Sequence, residues 1–360
     1  MTAGRGLMRA GIAEIPGLLA EADDGEAARA GAAVFGAART LDIVGCGTSL
    51  FAGEALRHAF ESAGLRTDVR EAYEYAAFPP PLADGDALLA ISHTGRTPDV
   101  VASARLPGRA RSAVVAITDE PGSPLGTSAE RVLADHRGHE PALPKTRSYI
   151  STLLRGLGAA RGAAEARGEA APGAAEVRAL ADPAAELLER SWQQAEELAA
   201  KFASVPRIVV IGGGPEVATA NEAALKLTEA ADQHADSWQI EEAAHGTWAS
   251  TRNGELAVVL APRGHSAAGS RVLAGMRGIG AVTWAIGGDP RLAAEADLAT
   301  PVPEVPALLA PLLTILPLYC LAERLAQARG LDPDIMRQDV PRYRAAREVM
   351  RRSLAAGTEG

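Results

Sequence analysis

Residues 40–49 read TLDIVGCGTS, and residues 207–216 read RIVVIGGGPE. In each, a short apolar run rich in β-branched side chains ends in a cluster of glycines. A helical pattern follows in both places, LFAGEALRHAFESAG at 50–64, closed by Gly64, and ATANEAALKLTEAA at 218–231. Strand, glycine turn and helix together make the repeating unit of a parallel sheet, because parallel neighbours need a crossover and the helix supplies it. The same grammar continues after each copy, with ALLAISHTGRT (87–97) and SAVVAITDEPGS (112–123) in the first half. In the second half it continues with ELAVVLAPRG (255–264) and AVTWAIGGDP (281–290). The two glycine turns, at Cys46 and Gly213, stand roughly 165 residues apart, so the chain reads as a duplicated α/β domain.

The expected layout has a helical N-terminal segment over 1–25 and a first domain over 26–165. A helical connector over 166–195, a second domain over 196–345 and a tail over 346–360 complete it. Each domain is expected to be a parallel sheet flanked by helices, a doubly wound three-layer sandwich. The connector, LGAARGAAEARGEAAPGAAEVRALADP (157–183), reads as a continuing helix, a loop near Pro172-Gly173 and a second helix. The stretch SLAAGTEG (353–360) carries little to anchor it and is expected to be disordered. The apolar run from Val305 to Ala322 is interrupted by Pro306, Pro311 and Pro317. A membrane span needs about 20 apolar residues, so this run reads as buried helical core.

With 36 basic and 45 acidic side chains the net charge is −9, which argues against a nucleic-acid partner. No basic cluster suggests an anionic membrane surface. The start of the chain lacks the unbroken apolar core of a signal peptide. Cys46 and Cys320 are too far apart in sequence to make a framework, and a reduced cytoplasmic compartment is the simpler expectation.

The chemistry concentrates where AISHTGRTPDVV (90–101) leaves its strand. The hydroxyls of Ser92, Thr94 and Thr97, with the amides of His93 and Gly95, can surround an anion without fixed cations. Thr48 and Ser49 add donors if the two strands are neighbours; a pair of capped turns is the plainer alternative. Arg96 reads as a solvated surface arginine. The second copy has APRGHSAAGS (261–270) at the corresponding place, with fewer hydroxyls and no Gly-x-Thr, so one anion site per chain is expected.

Glu222, Lys226, Glu229 and Gln233 recur at i, i+4, i+7 and i+11, one face of a helix. A solvated stripe of ion pairs explains this. A helix that begins at the rim of a ligand-binding sheet would instead make Glu229 a general base or acid. Glu241 and His245 stand four apart, and a histidine titrating near neutrality can shuttle a proton; a packed or surface histidine is the alternative. His136, His139 and Glu140 hint at a metal site, but no third ligand is fixed by sequence and no metal or other cofactor is expected. Lys145 and Arg147 can instead line a phosphate pocket.

Taken together these pieces resemble the SIS (sugar isomerase) family of phosphosugar-binding proteins. The resemblance is to the isomerase half of the glucosamine-6-phosphate synthases and to stand-alone amino-sugar-phosphate deaminase/isomerase members. GCGTS (45–49) resembles the family's first sugar-binding loop, and SHTGRTPD (92–99) its Ser-x-Ser-Gly-x-Thr phosphate loop, with Thr94 for the second serine. EPALPKTRSY (140–149), EAALKLTE (222–229), EEAAHGT (241–247) and the opening MRAGIAEIPGLL (8–19) are similar to further family segments in the same order. The resemblance implies two tandem SIS domains, usually assembled as dimers. It implies phosphate binding by Ser92, Thr94 and Thr97 and sugar contacts from Thr48, Ser49 and Leu143. It also implies proton transfer between sugar C1 and C2 by Glu229. Ring opening falls to His245, which in the synthase reaches the site from the partner subunit.

The departures shape the expectation. No glutaminase segment precedes the first domain, so glutamine is not the expected nitrogen donor. Pro341, within DPDIMRQDVPRYRAA (332–346), stands where the synthase has a lysine able to form a Schiff base. The expected activity is deamination of an amino-sugar 6-phosphate with aldose–ketose isomerisation, by a likewise expected homodimer. A simple phosphosugar isomerase and a non-catalytic phosphosugar-binding regulator are the alternatives.

Overall fold

A computed structural model describes residues 6–23, 25–110, 113–261, 264 and 266–356, with only the backbone of 351–356. The six expected strands all form, and four further strands join them at the sheet edges. The first five are β1 (Thr40–Gly45), β2 (Arg66–Glu71), β3 (Asp86–Ile91), β4 (Val114–Ile117) and β5 (Arg131–Leu133). They build a parallel sheet of order β2-β1-β3-β4-β5. The next five are β6 (Ile208–Gly212), β7 (Ala235–Gln239), β8 (Leu256–Leu260), β9 (Val282–Gly287) and β10 (Leu298–Pro301). These repeat the same order, β10-β9-β8-β6-β7 counted from the far edge. The chain therefore has two doubly wound α/β sheets of identical topology.

The central strands are largely apolar runs because helices cover both faces of each sheet. β3, β4, β6 and β8 are buried at every residue. On the first sheet, the helices Gly25–Phe35 and Arg147–Arg167 lie so close that glycine is required at their contact. A Cβ on Gly31 would lie 1.9 Å from the Ala159 carbonyl oxygen, and one on Gly162 would lie 1.9 Å from that of Ala28. Nearby, Phe35 and Phe60 meet edge to face with ring centroids 5.4 Å apart, a geometry worth about 1 kcal/mol beyond area burial. In the second sheet Arg207 ties three elements together. It lies 3.0 Å from Asp236 and 2.8 Å from Glu255, and its guanidinium stacks over Trp238.

The sheets belong to two compact units whose boundaries are interleaved in sequence. The first sheet's unit comprises 22–141, 147–176 and 337–360. The second sheet's unit comprises 1–21, 142–146 and 177–336. Thus the opening helices Leu7–Ala13 and Ile15–Ala20 pack in the second unit, against Leu316–Ala328 and Ala181–Phe202. Asp334 anchors the first of them, accepting the N–H groups of Leu7 (3.0 Å) and Met8 (2.8 Å). The proline-interrupted run forms the helices Pro311–Thr314 and Leu316–Ala328, buried as the sequence indicated. No helix among the described residues is long and apolar enough to cross a membrane. At the C-terminus a helix runs from Pro341 to Ala356, so the expected disorder does not hold for the start of SLAAGTEG; residues 357–360 lie outside the described residues.

Candidate active site

A sheet of this order takes ligands at the carboxyl ends of its strands, where the strand order reverses. In the first sheet that point lies between β1 and β3. Val44 pairs in register with Ala90, so the turns leaving Gly45 and Ile91 emerge side by side. Gly47 takes a positive φ of 55°, which lets the chain swing into the helix Thr48–Ser62. Thr48 and Ser49 open that helix and are buried. Across from them the buried Ser92 hydroxyl lies 3.0 Å from the Thr97 hydroxyl. Thr97 precedes the helix Pro98–Ala104 without capping it through its side chain. These two hydroxyls and the pair at 48–49 therefore converge on one rim, as expected if β1 and β3 are neighbours.

Gly95 shapes this loop. Its φ is 60°, and a Cβ would lie 1.9 Å from Ser123 Oγ. Its N–H donates to the Ser92 carbonyl (2.9 Å), and its own carbonyl accepts from Leu125 (3.0 Å). The Gly95 amide is consequently engaged inside the loop, whereas the sequence reading had offered it to the anion. The His93 carbonyl accepts from Asp119 N–H (2.9 Å) and the Thr118 hydroxyl (3.1 Å), which pins the loop to the end of β4. Thr94 Oγ1 accepts from Arg96 N–H at 3.4 Å, and Arg96 pairs with Glu120 at the surface. Beside the rim, Cys46 donates its thiol to Glu71 (3.2 Å). Burial, with that carboxylate, pushes the thiol pKa up to about 12, so Cys46 stays protonated and is a poor nucleophile.

The segment 135–149 divides between the units. Glu140 is fully buried and its carboxylate accepts the N–H groups of Arg147 (3.3 Å) and Ser148 (2.9 Å). It caps the long helix Arg147–Arg167, where a carboxylate is favoured by the helix dipole. Arg147 is itself buried, bonded to the Gly138 carbonyl. Leu143 and Lys145 belong to the second sheet's unit, where Leu143 N–H donates to Asp334 O (2.9 Å) and Lys145 Nζ to Ala142 O (2.7 Å).

The polar stripe of the second unit differs from the solvated reading. Glu222 and Lys226 are fully buried. Lys226 lies 3.6 Å from Glu222 and pairs directly with Glu229. The Tyr319 hydroxyl, from the helix packed alongside, donates to Glu222 (3.1 Å). Glu229 ends this chain of groups, with its side chain 17% exposed. Gln233 lies past the end of the helix Glu216–Ala231, where Asp232 takes a left-handed φ of 51°, and bonds backbone carbonyls instead.

Glu229 does not stand at the sheet rim that motivated its choice. The helix begins at the carboxyl edge of the sheet and runs back, so Glu229, 13 residues on, sits about 20 Å away toward the amino edge. His245 follows β7 at the carboxyl edge, largely exposed, with Nε2 3.8 Å from Glu241. One chain thus holds these two groups at opposite edges of the same sheet. The residue at the rim is Glu216, which the sequence reading passed over although it directly follows the glycine turn. It is 2% exposed, it accepts from the Thr314 hydroxyl (2.8 Å), and burial pushes its carboxyl up to about 7. The corresponding loop at 261–270 is described only in part, since 262, 263 and 265 lie outside the described residues.

This paired architecture has relatives. The model of the SIS domain family matches residues 35–158 and 201–326. The chain belongs to the SIS domain family. That is the phosphosugar-binding family its loops resemble. Among curated proteins the chain is 30% identical over 304 residues to glutamine–fructose-6-phosphate aminotransferase (isomerizing) of Mycolicibacterium paratuberculosis, covering 81% of this chain and 49% of that protein. The Methanothermobacter thermautotrophicus protein of the same name is 34% identical over 320 residues, covering 83% and 50%. This SIS chain spans about half the length of these curated relatives. Among solved structures, the C-terminal domain of glucosamine-fructose-6-phosphate aminotransferase from Francisella tularensis superposes with a TM-score of 0.82 at 19% identity, covering 92% and 98% of the two chains. Glucosamine-6-phosphate deaminase from Thermotoga maritima gives 0.73 at 20% identity, covering 91% and 96%.

Proposed function

We propose that this SIS protein deaminates an amino-sugar 6-phosphate, with aldose–ketose isomerisation of the carbon chain. The observation that carries the reading is Glu229, a partly exposed carboxylate held in place by the buried Lys226, in a chain that also carries the hydroxyl rim. Ser92, Thr94, Thr97, Thr48 and Ser49 hold the phosphate and neighbouring sugar oxygens through neutral donors. His245 assists ring opening to the free aldehyde. Glu229 then takes the proton from C2 and returns it to C1, which leaves an iminium at C2. Water adds to that carbon and ammonia departs, giving the ketose phosphate. No external oxidant or reductant enters this balance.

The placement of Glu229 and His245 at opposite edges of one sheet supports a homodimer in which His245 serves the partner's site. Mixing Glu229→Gln and His245→Ala chains, each inactive alone, should then restore about a quarter of wild-type activity; mixtures that stay inactive overturn the shared site. For the reaction itself, ammonia release is measured on a panel of amino-sugar 6-phosphates. Glu229→Gln should lower turnover by about 10²–10⁴-fold with ligand-induced stabilisation retained. Unchanged turnover would remove Glu229 from the mechanism. A simple aldose–ketose isomerase, which uses the same base and needs no amine, is the second reading. Isomerisation of non-aminated sugar phosphates without ammonia release is its signature.

A further inference from the structure

Glu216 plays no part in the reaction proposed above, yet it faces a built pocket. At the carboxyl edge of the second sheet a cavity of about 420 Å³ opens between the ends of β8 and β9. Glu216 and Thr314 lie among its lining residues, with Gly287 and Gly288 at the strand ends. Apart from Glu304, its other described walls are alanine, valine and proline side chains. It lies on the carboxyl edge, the edge at which doubly wound sheets receive ligands, one strand away from the β6–β8 reversal point.

The buried carboxyl is unusual in what surrounds it. Thr314 gives it one hydrogen bond (2.8 Å). Among the described residues no cationic side chain forms an ion pair with it, and its raised pKa traces to burial offset only by hydroxyl hydrogen bonds. A carboxylate taken out of water without a counter-charge is costly. Among the described lining residues there is no positive charge, and apart from the two carboxyls and Thr314 they offer apolar wall.

We infer that this pocket is a second ligand site and that it takes a small organic ammonium ion. The amine head would lie against Glu216 and Thr314, and a short aliphatic body against the alanine and valine wall. An anion is refused, because both charged groups among the described lining residues are carboxylates. A bare divalent metal is also unsuited. Calcium seeks about six to eight oxygen ligands, and the described residues hold no group of three or more acidic, histidine or cysteine side chains placed for a metal. A neutral alcohol offers the carboxyl no charge to pair with.

The test is calorimetric titration of the full chain with n-butylammonium, n-butanol and inorganic phosphate. Butylammonium should bind at one site per chain and in the presence of saturating phosphate, with butanol at least about tenfold weaker. Glu216→Gln should weaken butylammonium at least about tenfold while leaving phosphate binding unchanged. Ala307→Phe, which places a ring at the exposed mouth without altering charge, should weaken the amine and leave phosphate unchanged as well. Absence of saturable amine binding to the wild-type chain overturns the site. So does equal amine affinity in both variants, or competition between amine and phosphate. Loss of ammonia-releasing activity would leave these binding results untouched, so failure of the proposed reaction and failure of this site are separately visible.

Discussion

The two sheets share one strand order and differ at their rims. On the first, the residues after the glycine turn are Thr48 and Ser49, facing the hydroxyl pair of Ser92 and Thr97. Counting equally from the ends of β1 and β6, the place of Ser49 is taken by Glu216 in the second. One rim presents neutral donors that suit an anion; the other already contains a buried acid. Duplication preserved what the backbone needs, the strands and crossovers. The few side chains at the carboxyl edge, free of that demand, diverged in chemistry.

The largest test of this contrast is to write the second rim into the first. Ser49→Glu places a carboxylate where phosphate is proposed to bind. Like charges about 4 Å apart near a protein surface repel by about 4 kcal/mol, so affinity for sugar phosphates should fall at least about 100-fold by titration. Retained affinity would place the anion elsewhere.

The reverse contrast is read from pH. The Glu216 carboxyl titrates near 7 in the folded chain against about 4.5 for an ordinary glutamate. The folded state therefore holds its proton while the unfolded state releases it. Stability contributed by this group is full below about pH 4.5, is lost as pH rises to about 7, and then levels off. That loss is on the order of 3 kcal/mol. Glu216→Gln lacks it, so the variant should gain in melting temperature over wild type between pH 5 and pH 7.5. Parallel pH profiles would show that the carboxyl is not buried uncompensated.

Smaller effects sharpen the first rim. Gly95→Ala forces a side chain onto Ser123 at a positive φ, and should cost about 1–3 kcal/mol of stability together with phosphosugar affinity. Ser92→Ala removes one partner of the hydroxyl pair, and affinity should drop by about 1 kcal/mol, several-fold by titration. If Ser92→Ala proves more damaging than Gly95→Ala, the hydroxyl matters more than the loop shape.

Much of this architecture was legible in the chain itself. β-branched runs closed by glycines and followed by amphipathic helices gave the six central strands and the duplication, because those signals are local; the edge strands β2, β5, β7 and β10 are short or polar and carry no such signal. The adjacency of GCGTS and SHTGRT stood only as a condition, because strand order is not written locally; the pairing of β1 with β3 meets it. The Glu222–Lys226–Glu229 spacing was read correctly as one helical face. Its environment stayed open between a solvated stripe and a working face, because Tyr319, which bonds Glu222, lies 97 residues away. Glu216 escaped notice for the same reason: Thr314, which completes its surroundings, lies 98 residues on. The membership of 142–146 in the second sheet's unit left no local mark at all, since a short extended segment reads alike in either unit.

The bond from Asp334 to the start of the first helix has a consequence for synthesis. The carboxylate that receives the Met8 N–H is synthesised 326 residues after it. The first sheet's strands, all within 40–133, are complete long before that, whereas the second sheet's unit must wait for nearly the whole chain. The helix Leu7–Ala13 meets its partner Leu316–Ala328 only after more than 300 residues have been added. This is the interval in which a nascent chain most needs chaperone cover.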